Sequence, residues 1–309
     1  MTAPHVSDAD QRENMVAIGW MTMAMFILPV MDTIAKYLSV RIPPLEITFA
    51  RFFFQLLICI AAAALTGNLH RLKSRRLGIN LLRGSLLTFS SLCFFTALKF
   101  MPVATAMAIF FVEPMILTIL AVVFLGEKIG VRRVAGILVG LAGAMLILRP
   151  SFADAGLVAL LPLCTATLFA CYLMLNRRFA GQESLYAIQF GTGLAGTIIM
   201  GIVMTGTTLA GQTDYAFVMP HVGEMPLLVM IGGISFLGHA LVVLAFQKGE
   251  ASMLAPLNYV EIIGATLLGY LVFGDFPDGM TWMGIGLIVG GGLYIAHRER
   301  VKKPVSPKS

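Results

Sequence analysis

The sequence predicts an all-α integral membrane protein of ten transmembrane helices, arranged as two five-helix copies inserted in opposite senses. Three observations carry that reading. Of 309 residues 58% are hydrophobic and only 12% charged, with a mean hydropathy of +0.87, more apolar surface than one water-soluble core of this size can hide. The apolar stretches are long and joined by short polar segments, and about 20 residues carry a helix across roughly 30 Å of hydrocarbon. The second half also repeats features of the first at an offset of 148 residues. Alternating segments of about ten residues, the mark of barrel strands, are absent, so the spans are helices.

Residues 1–13 form a polar tail with three acids and one Arg. The apolar run after it is too long for a signal-peptide core and lacks a small-residue cleavage site, so no cleaved targeting segment is expected. Span 1 covers residues 14–38 and holds Asp32 and Lys36 one turn apart, acid first. They form either a local ion pair with Lys36 snorkelling to the outer interface or part of a gate. Span 2, 45–66, carries Arg51 with Gln55 one turn on; Arg51 either clamps an anionic group or pairs with Asp32 or Glu46. Span 3, 79–99, includes Arg83.

Span 4, 102–125, has Glu113 near its middle, with Phe110 and Phe111 before it and Pro114 after it. Span 5, 131–148, is rich in glycine, as in GILVG at Gly136 to Gly140. Span 6, 155–176, carries Tyr172. Span 7, 184–206, carries Gln189 and the segment GTGLAG. Span 8, 225–246, holds His239, the one histidine well inside the membrane, which either relays protons or packs. Span 9, 251–273, brings Pro256, Asn258, Tyr259 and Glu261, and span 10, 279–296, ends the series with GLIVGGG. The first copy thus occupies 14–149, the second 155–297, and 298–309 is a basic tail.

The offset lays Glu113 on Glu261, Gly126 and Glu127 on Gly274 and Asp275, Gly136 on Gly284 and Gly143 on Gly291. Five spans per copy is an odd number, so consecutive copies enter the membrane from opposite sides. Charge agrees. With the N-terminus inside, 16 of the 22 Lys and Arg fall on the inner side and 4 on the outer, leaving Arg51 and Arg83 within spans. Both termini are therefore expected in the cytoplasm. The joint after span 4 carries Lys128, Arg132 and Arg133, whereas its counterpart GDFPDG has two acids and no base, the flip an inverted copy requires. Inverted repeats mark secondary transporters, with a site near the midplane between the halves.

Glu113 and Glu261 both fall near the bilayer centre. A charge facing lipid there costs at least a few kcal/mol, so each acid must face the bundle interior or be protonated. Asn258 lies one turn before Glu261, where the first copy has Phe110. Pro114 and Pro256 remove backbone donors and free carbonyls nearby. The two acids either line a transport path, titrating during transport, or pin their helices to neighbours. A substrate or coupling-ion path is assigned to Glu113, Glu261, Asn258, Phe110, Arg51, Asp32, His239, Tyr259 and Tyr172.

Other chemistries find no support. The GTGLAG segment follows no strand, so dinucleotide binding is not expected, and small residues for close helix approach explain it better. There is no P-loop, no nucleophile-base-acid set, no H-E-x-x-H and no Cys/His cluster, hence no cofactor, no metal and no catalytic residue. The four cysteines lie inside spans and are expected to be buried free thiols. The basic surplus is an orientation signal, so no nucleic-acid partner is needed; the partners are a small solute and the lipid bilayer. A membrane enzyme acting on lipid would need D-x-x-D or H-x-x-x-H at one interface. A non-transporting scaffold or accessory subunit remains the alternative to a transporter.

These residues resemble the EamA group of the drug/metabolite transporter superfamily. The resemblance rests on ten short spans in two inverted copies, on PVATAMAIFFVEPMILTILAVVFLGEK in span 4, and on GILVGLAGAMLILRP in span 5. It implies a basket of helices around a cavity lined by the first span of each copy and by spans 3, 4, 8 and 9. Spans 5 and 10 would pack outside as candidates for a homodimer contact. The family's loop acid maps to Glu127, with Asp275 at the matching place. It further implies alternating-access transport, proton-coupled or not, of an amino acid, riboflavin, S-adenosylmethionine or a similar amine-bearing or zwitterionic solute across a bacterial cytoplasmic (inner) membrane.

Overall fold

The computed structural model describes residues 8–125, 131–179, 182–212, 215–248 and 254–302, and every regular element among them is helical. In chain order these are α1 (Asp8–Leu38), α2 (Pro44–Leu65), α3 (Leu77–Phe100), α4 (Val103–Phe110), α5 (Glu113–Leu125), α6 (Val131–Ala155), α7 (Leu161–Arg178), α8 (Leu185–Leu209), α9 (Met225–Lys248), α10 (Glu261–Phe273) and α11 (Gly279–Lys302). Short 3-10 segments at Gly156–Leu160 and Ala255–Val260 lead into α7 and α10. Seven stretches are long and apolar enough to cross a membrane. Three shorter apolar helices, Val134–Ile147, Leu257–Phe273 and Gly279–Gly291, stand where the sequence predicts spans 5, 9 and 10.

The helix ends follow local chemistry. Pro44 opens α2, where a missing N–H costs nothing. The Ser184 hydroxyl accepts from the Ala187 amide at 3.0 Å and caps α8. Gly274, at φ +73°, closes α10 in the left-handed conformation a side chain would resist.

Spans 4 and 9 are not the continuous helices the sequence predicts. Span 4 breaks at Phe111 and Val112, and α5 restarts with Glu113 as its first residue. Pro114 explains the place: its ring blocks the carbonyl four residues back, on Phe110, and α4 ends at Phe110. Among its described residues span 9 runs through the 3-10 segment Ala255–Val260, with Pro256 in its first turn, and turns α-helical at Glu261. Both copies therefore place the acid at the first residue of an α-helical stretch, after a turn in span 4 and directly after a 3-10 segment in span 9.

Packing exchanges the two halves. Helix α1 lies on α9 as α7 lies on α3; α2 lies on α9 as α8 lies on α3; α10 lies on α1 as α5 lies on α7. Helices α2 and α8, and α6 and α11, pair with their own counterparts. Glycines set these contacts. A Cβ on Gly143 would sit 2.8 Å from the carbonyl oxygen of Gly284, and one on Gly291 would sit 2.8 Å from that of Gly136. The register is antiparallel, and each contact becomes the other when the copies are swapped, as at an isologous interface. The GTGLAG segment serves the same end: Gly193 faces Leu56 and Gly196 faces Phe52.

Loop contacts sort the ends of the bundle. At one end Lys36 pairs with Asp275, and Arg41 grips Glu224 through Nε at 2.8 Å and through Nη2. At the other, Glu183 accepts from the Ser74 hydroxyl at 3.0 Å and the Arg76 amide at 2.7 Å, and Lys248 lies 3.5 Å from Glu13. Each of these ties joins one copy to the other.

Several expectations need correction. Lys36 does not pair with Asp32, because Asp32 points into the bundle whereas Lys36 reaches Asp275 and the Phe273 ring, 4.6 Å away. Only Cys59 is fully buried; Cys93 and Cys171 are half-buried and Cys164 is exposed, although all four are free. Gly126, Glu127 and Lys128 lie outside the described residues, as do the side chains of Arg132 and Arg133.

Candidate functional site

Seven of the nine residues assigned to the path, Asp32, Arg51, Glu113, Tyr172, His239, Tyr259 and Glu261, are more than nine-tenths buried, and Asn258 and Phe110 are half-buried. They gather as two polar groups joined by aromatic rings.

The first group surrounds Arg51. Its Nε donates to the Ser235 hydroxyl at 3.0 Å and its Nη1 to the Ser91 hydroxyl. The Ser235 hydroxyl donates to Gln55 Oε1 at 2.9 Å; Gln55 Nε2 donates to Gln189 Oε1 at 3.0 Å; Gln189 Nε2 ends the chain on the Phe236 carbonyl at 2.9 Å. This ladder links α2, α3, α8 and α9. Gln189 is thereby a bridge between helices, with both ends of its amide engaged. The Arg51 guanidinium also lies 5.0 Å from the Phe52 ring and 5.8 Å from that of Phe95. No ion pair joins Arg51 to Asp32 or Glu46 among the described residues, and Glu46 instead accepts from the Val218 amide at 2.9 Å.

Asp32, on α1, is within electrostatic range of Arg51 and of Glu261. No hydrogen bond ends on either carboxylate among the described residues. His239 has Nδ1 at 2.9 Å from the Ser235 carbonyl oxygen. A carbonyl only accepts, so Nδ1 carries a proton, and in the neutral ring Nε2 is left as an acceptor.

The second group is Glu113 with Asn258 and Tyr259. Oε1 of Glu113, Oδ1 of Asn258 and the Tyr259 hydroxyl are each buried without a hydrogen-bond partner. Glu113 and Tyr259 lie within electrostatic range although they belong to different copies. At the start of α5 the Glu113 carboxylate also meets the positive end of a helix dipole, the favourable place for an anion. Orphaned buried polar groups are rare, and the pair Glu113 and Tyr259, one from each copy and within electrostatic range, marks a place suited to another partner.

Rings connect the groups. Tyr259 and Phe111 lie 5.5 Å apart, Phe111 and Phe110 6.0 Å, Phe110 and Phe169 5.5 Å, and Phe169 and Tyr172 5.5 Å. Tyr172 is in turn within electrostatic range of Arg51. The resulting arc offers both faces and edges to a flat or cationic group.

Ser91, Ser235 and Phe169 were not singled out from sequence, and nothing local distinguishes them from other small or aromatic residues in spans. Arg83 had a signal, being an intramembrane charge with Asn80 one turn before it. It is fully buried, its Nη1 donating to Asn80 Oδ1 at 2.9 Å and its Nη2 to the Leu175 carbonyl at 3.0 Å, with Nε unpartnered. No group of three or more His, Cys, Asp or Glu side chains fit to hold a metal occurs among the described residues.

The chain is similar to known proteins over most of its length. The sequence model of the EamA-like transporter family matches residues 15–149 and 156–296. An S-adenosylmethionine uptake transporter of Rickettsia bellii is 29% identical over 293 residues, covering 95% of this chain and 97% of that one. A riboflavin transporter of Vibrio cholerae is 25% identical over 291 residues, 92% and 93% of the two chains. A pseudopaline exporter, CntI, of Pseudomonas aeruginosa is 27% identical over 280 residues, 90% and 95%. One protein of known crystal structure superposes with a TM-score of 0.66 at 21% identity, over 92% of this chain and 98% of the other, and so shares the fold.

Proposed function

The chain belongs to the EamA-like transporter family, and from that membership we propose that it carries a small amine-bearing or zwitterionic solute by alternating access, with S-adenosylmethionine the first candidate. It is a small-metabolite transporter and not an enzyme. The observation that carries the substrate reading is the composition of the site. The assigned path holds three buried acids, Asp32, Glu113 and Glu261, and one buried guanidinium, Arg51, together with an arc of rings. An acid excess next to aromatic faces suits a cation attached to a flat ring.

The path residues are Glu113, Glu261, Asn258, Phe110, Arg51, Asp32, His239, Tyr259 and Tyr172. The interruption of the α-helix before Glu113, and the 3-10 segment that runs into Glu261, support this role, since transporter repeats build sites at discontinuous helices. Glu113 and Glu261 take up and release protons during the cycle, coupling flux to a pH gradient. The ten helical segments cross the membrane as two inverted five-helix repeats, a reading supported by the antiparallel, exchange-symmetric contact of α6 with α11. The membrane of this reading is the bacterial cytoplasmic one, and the distribution of basic residues supports both termini inside. A homodimer would use the outward sides of α6 and α11, where Leu138, Met145, Trp282 and Met283 are exposed.

A neutral flat solute such as riboflavin is the second reading, favoured by the aromatic arc alone. Uptake of radiolabelled S-adenosylmethionine, riboflavin and amino acids into proteoliposomes decides between them. Entry of S-adenosylmethionine in preference to riboflavin is expected; preference for riboflavin overturns the acid-based reading.

A further inference from the structure

Two thiols from opposite copies meet where α3 packs on α7. The sulfurs of Cys93 on α3 and Cys164 on α7 are 3.8 Å apart, in contact, although 71 positions of chain separate them. Their neighbours build that contact. The Ser90 hydroxyl donates to the Thr165 carbonyl at 3.2 Å, and the Thr165 hydroxyl, shared with the Leu161 carbonyl, donates to the Ser90 carbonyl at 3.2 Å. This reciprocal pair stands one turn from Cys93 and next to Cys164, so it draws the two backbones together at the height of the thiols. Further along, Arg83 reaches the Leu175 carbonyl and fixes the antiparallel register. Cys164 is exposed on the outside of the bundle, with Cys93 half-buried beside it.

The pair occurs at one end of the bundle only. Exchanging the copies at the 148-residue offset puts Leu241 in the place of Cys93 and Val16 in that of Cys164. Aliphatic side chains fill the equivalent place, so packing alone does not call for sulfur. The thiols lie seven residues before the end of α3 and three after the start of α7, toward the end that Lys36 and Asp275 tie. In the orientation proposed above this is the outer side, next to an oxidising compartment. The place of Leu241 and Val16 is toward the reducing cytoplasm, where a disulfide would not persist.

We propose that Cys93 and Cys164 are a redox-active thiol pair, closed by a hydroperoxide to a disulfide that staples the two copies together and stops transport. A neutral hydroperoxide reaches a thiol that faces lipid, whereas a charged oxidant enters hydrocarbon only at high cost. The oxygen–oxygen bond breaks as its terminal oxygen passes to the Cys164 sulfur, giving a sulfenic acid and releasing water or an alcohol. The Cys93 sulfur then attacks that sulfur; the sulfur–oxygen bond breaks, and the hydroxide leaves as water with the Cys93 proton. The two thiols lose two electrons and the peroxide gains them. The arrest of transport rests on the alternating-access reading above, whereas the disulfide itself does not.

The test treats the reconstituted protein with hydrogen peroxide, delivered through water, or with cumene hydroperoxide, which partitions into lipid. After denaturation, free thiols are counted with a maleimide and crosslinked peptides are mapped by mass spectrometry. The count should fall from four to two, with Cys93 joined to Cys164, and dithiothreitol should restore it. Uptake of S-adenosylmethionine should fall by the crosslinked fraction and return with the reductant. Cys93→Ala and Cys164→Ala, neither of them in the assigned path, should form no crosslink and keep their uptake after treatment.

Reaction with either peroxide supports the pair and says which side supplies the oxidant. No crosslink with either, or one that joins other cysteines, overturns it. A crosslinked protein that transports as fast as the reduced one overturns the staple. If the reduced wild type carries no S-adenosylmethionine, the substrate reading falls, and the staple is read from the thermal midpoint instead. A rise on oxidation that Cys93→Ala lacks upholds it, since a crosslink restricts the unfolded chain, and an unchanged midpoint overturns it.

Discussion

Tyr259 keeps a buried hydroxyl without a partner, within electrostatic range of a glutamate that also has an unpartnered oxygen. An orphaned buried hydroxyl costs roughly 1–3 kcal/mol, so a residue selected for stability alone would be Phe. Tyr259→Phe is therefore expected to leave the thermal midpoint of the detergent-purified protein unchanged or raise it, and to slow uptake several-fold. A lowered midpoint would mark the hydroxyl as structural. At this scale the sequence revealed identities better than partners. Glu113 and Glu261 stand out in any apolar span, and Arg51 does too. That Arg51 leans on two serines, or that Lys36 reaches Asp275 across 239 positions of chain, depends on helix placement that no local pattern encodes.

Helices show where sequence periodicity stops. Hydropathy predicts ten spans; seven of them are helices long and apolar enough to cross a membrane and three are shorter apolar helices. The turn before Glu113 and the 3-10 segment before Glu261 escaped it, since Pro114 and Pro256 sit inside largely apolar stretches. Small residues were legible as contact sites, but not which helix each would meet: the offset aligns Gly136 with Gly284, whereas in the fold Gly143 faces Gly284. That contact gives a clean prediction. A Cβ at Gly284 would meet the Gly143 carbonyl at 2.8 Å and the Ile147 side chain at 2.2 Å, while one at Gly286, two residues on, meets nothing within 4 Å. Gly284→Ala should destabilise by about 1–3 kcal/mol. Gly286→Ala should be neutral. Equal thermal midpoints for the two variants would refute the α6–α11 packing.

Over the whole molecule, charged ties between the copies close both ends of the bundle, and alternating access requires that the ties at one end give way. Arg41 and Glu224 form the most elaborate of these. The Arg41 hydrogen bonds, helped by the His221 amide, hold the Glu224 carboxyl down at about 2 from an ordinary 4.5. A depressed carboxylate contributes stability that is complete above pH 4.5 and lost as pH falls toward 2. The difference in thermal midpoint between wild type and Glu224→Gln should thus stay constant from neutrality to about pH 5 and vanish on further acidification. A difference that changes between pH 7 and 6 would contradict the tie.

The most direct measurement is the initial rate of S-adenosylmethionine entry into proteoliposomes, with and without an imposed pH gradient. Wild type is compared with Glu113→Gln combined with Glu261→Gln at equal reconstituted amounts. The account predicts wild-type entry well above protein-free vesicles, stimulated by the gradient, and at least about a tenfold loss in the variant with its fold intact, the scale expected when a proton-transferring group is removed. Equal rates in the two proteins, with the gradient without effect on either, would contradict it.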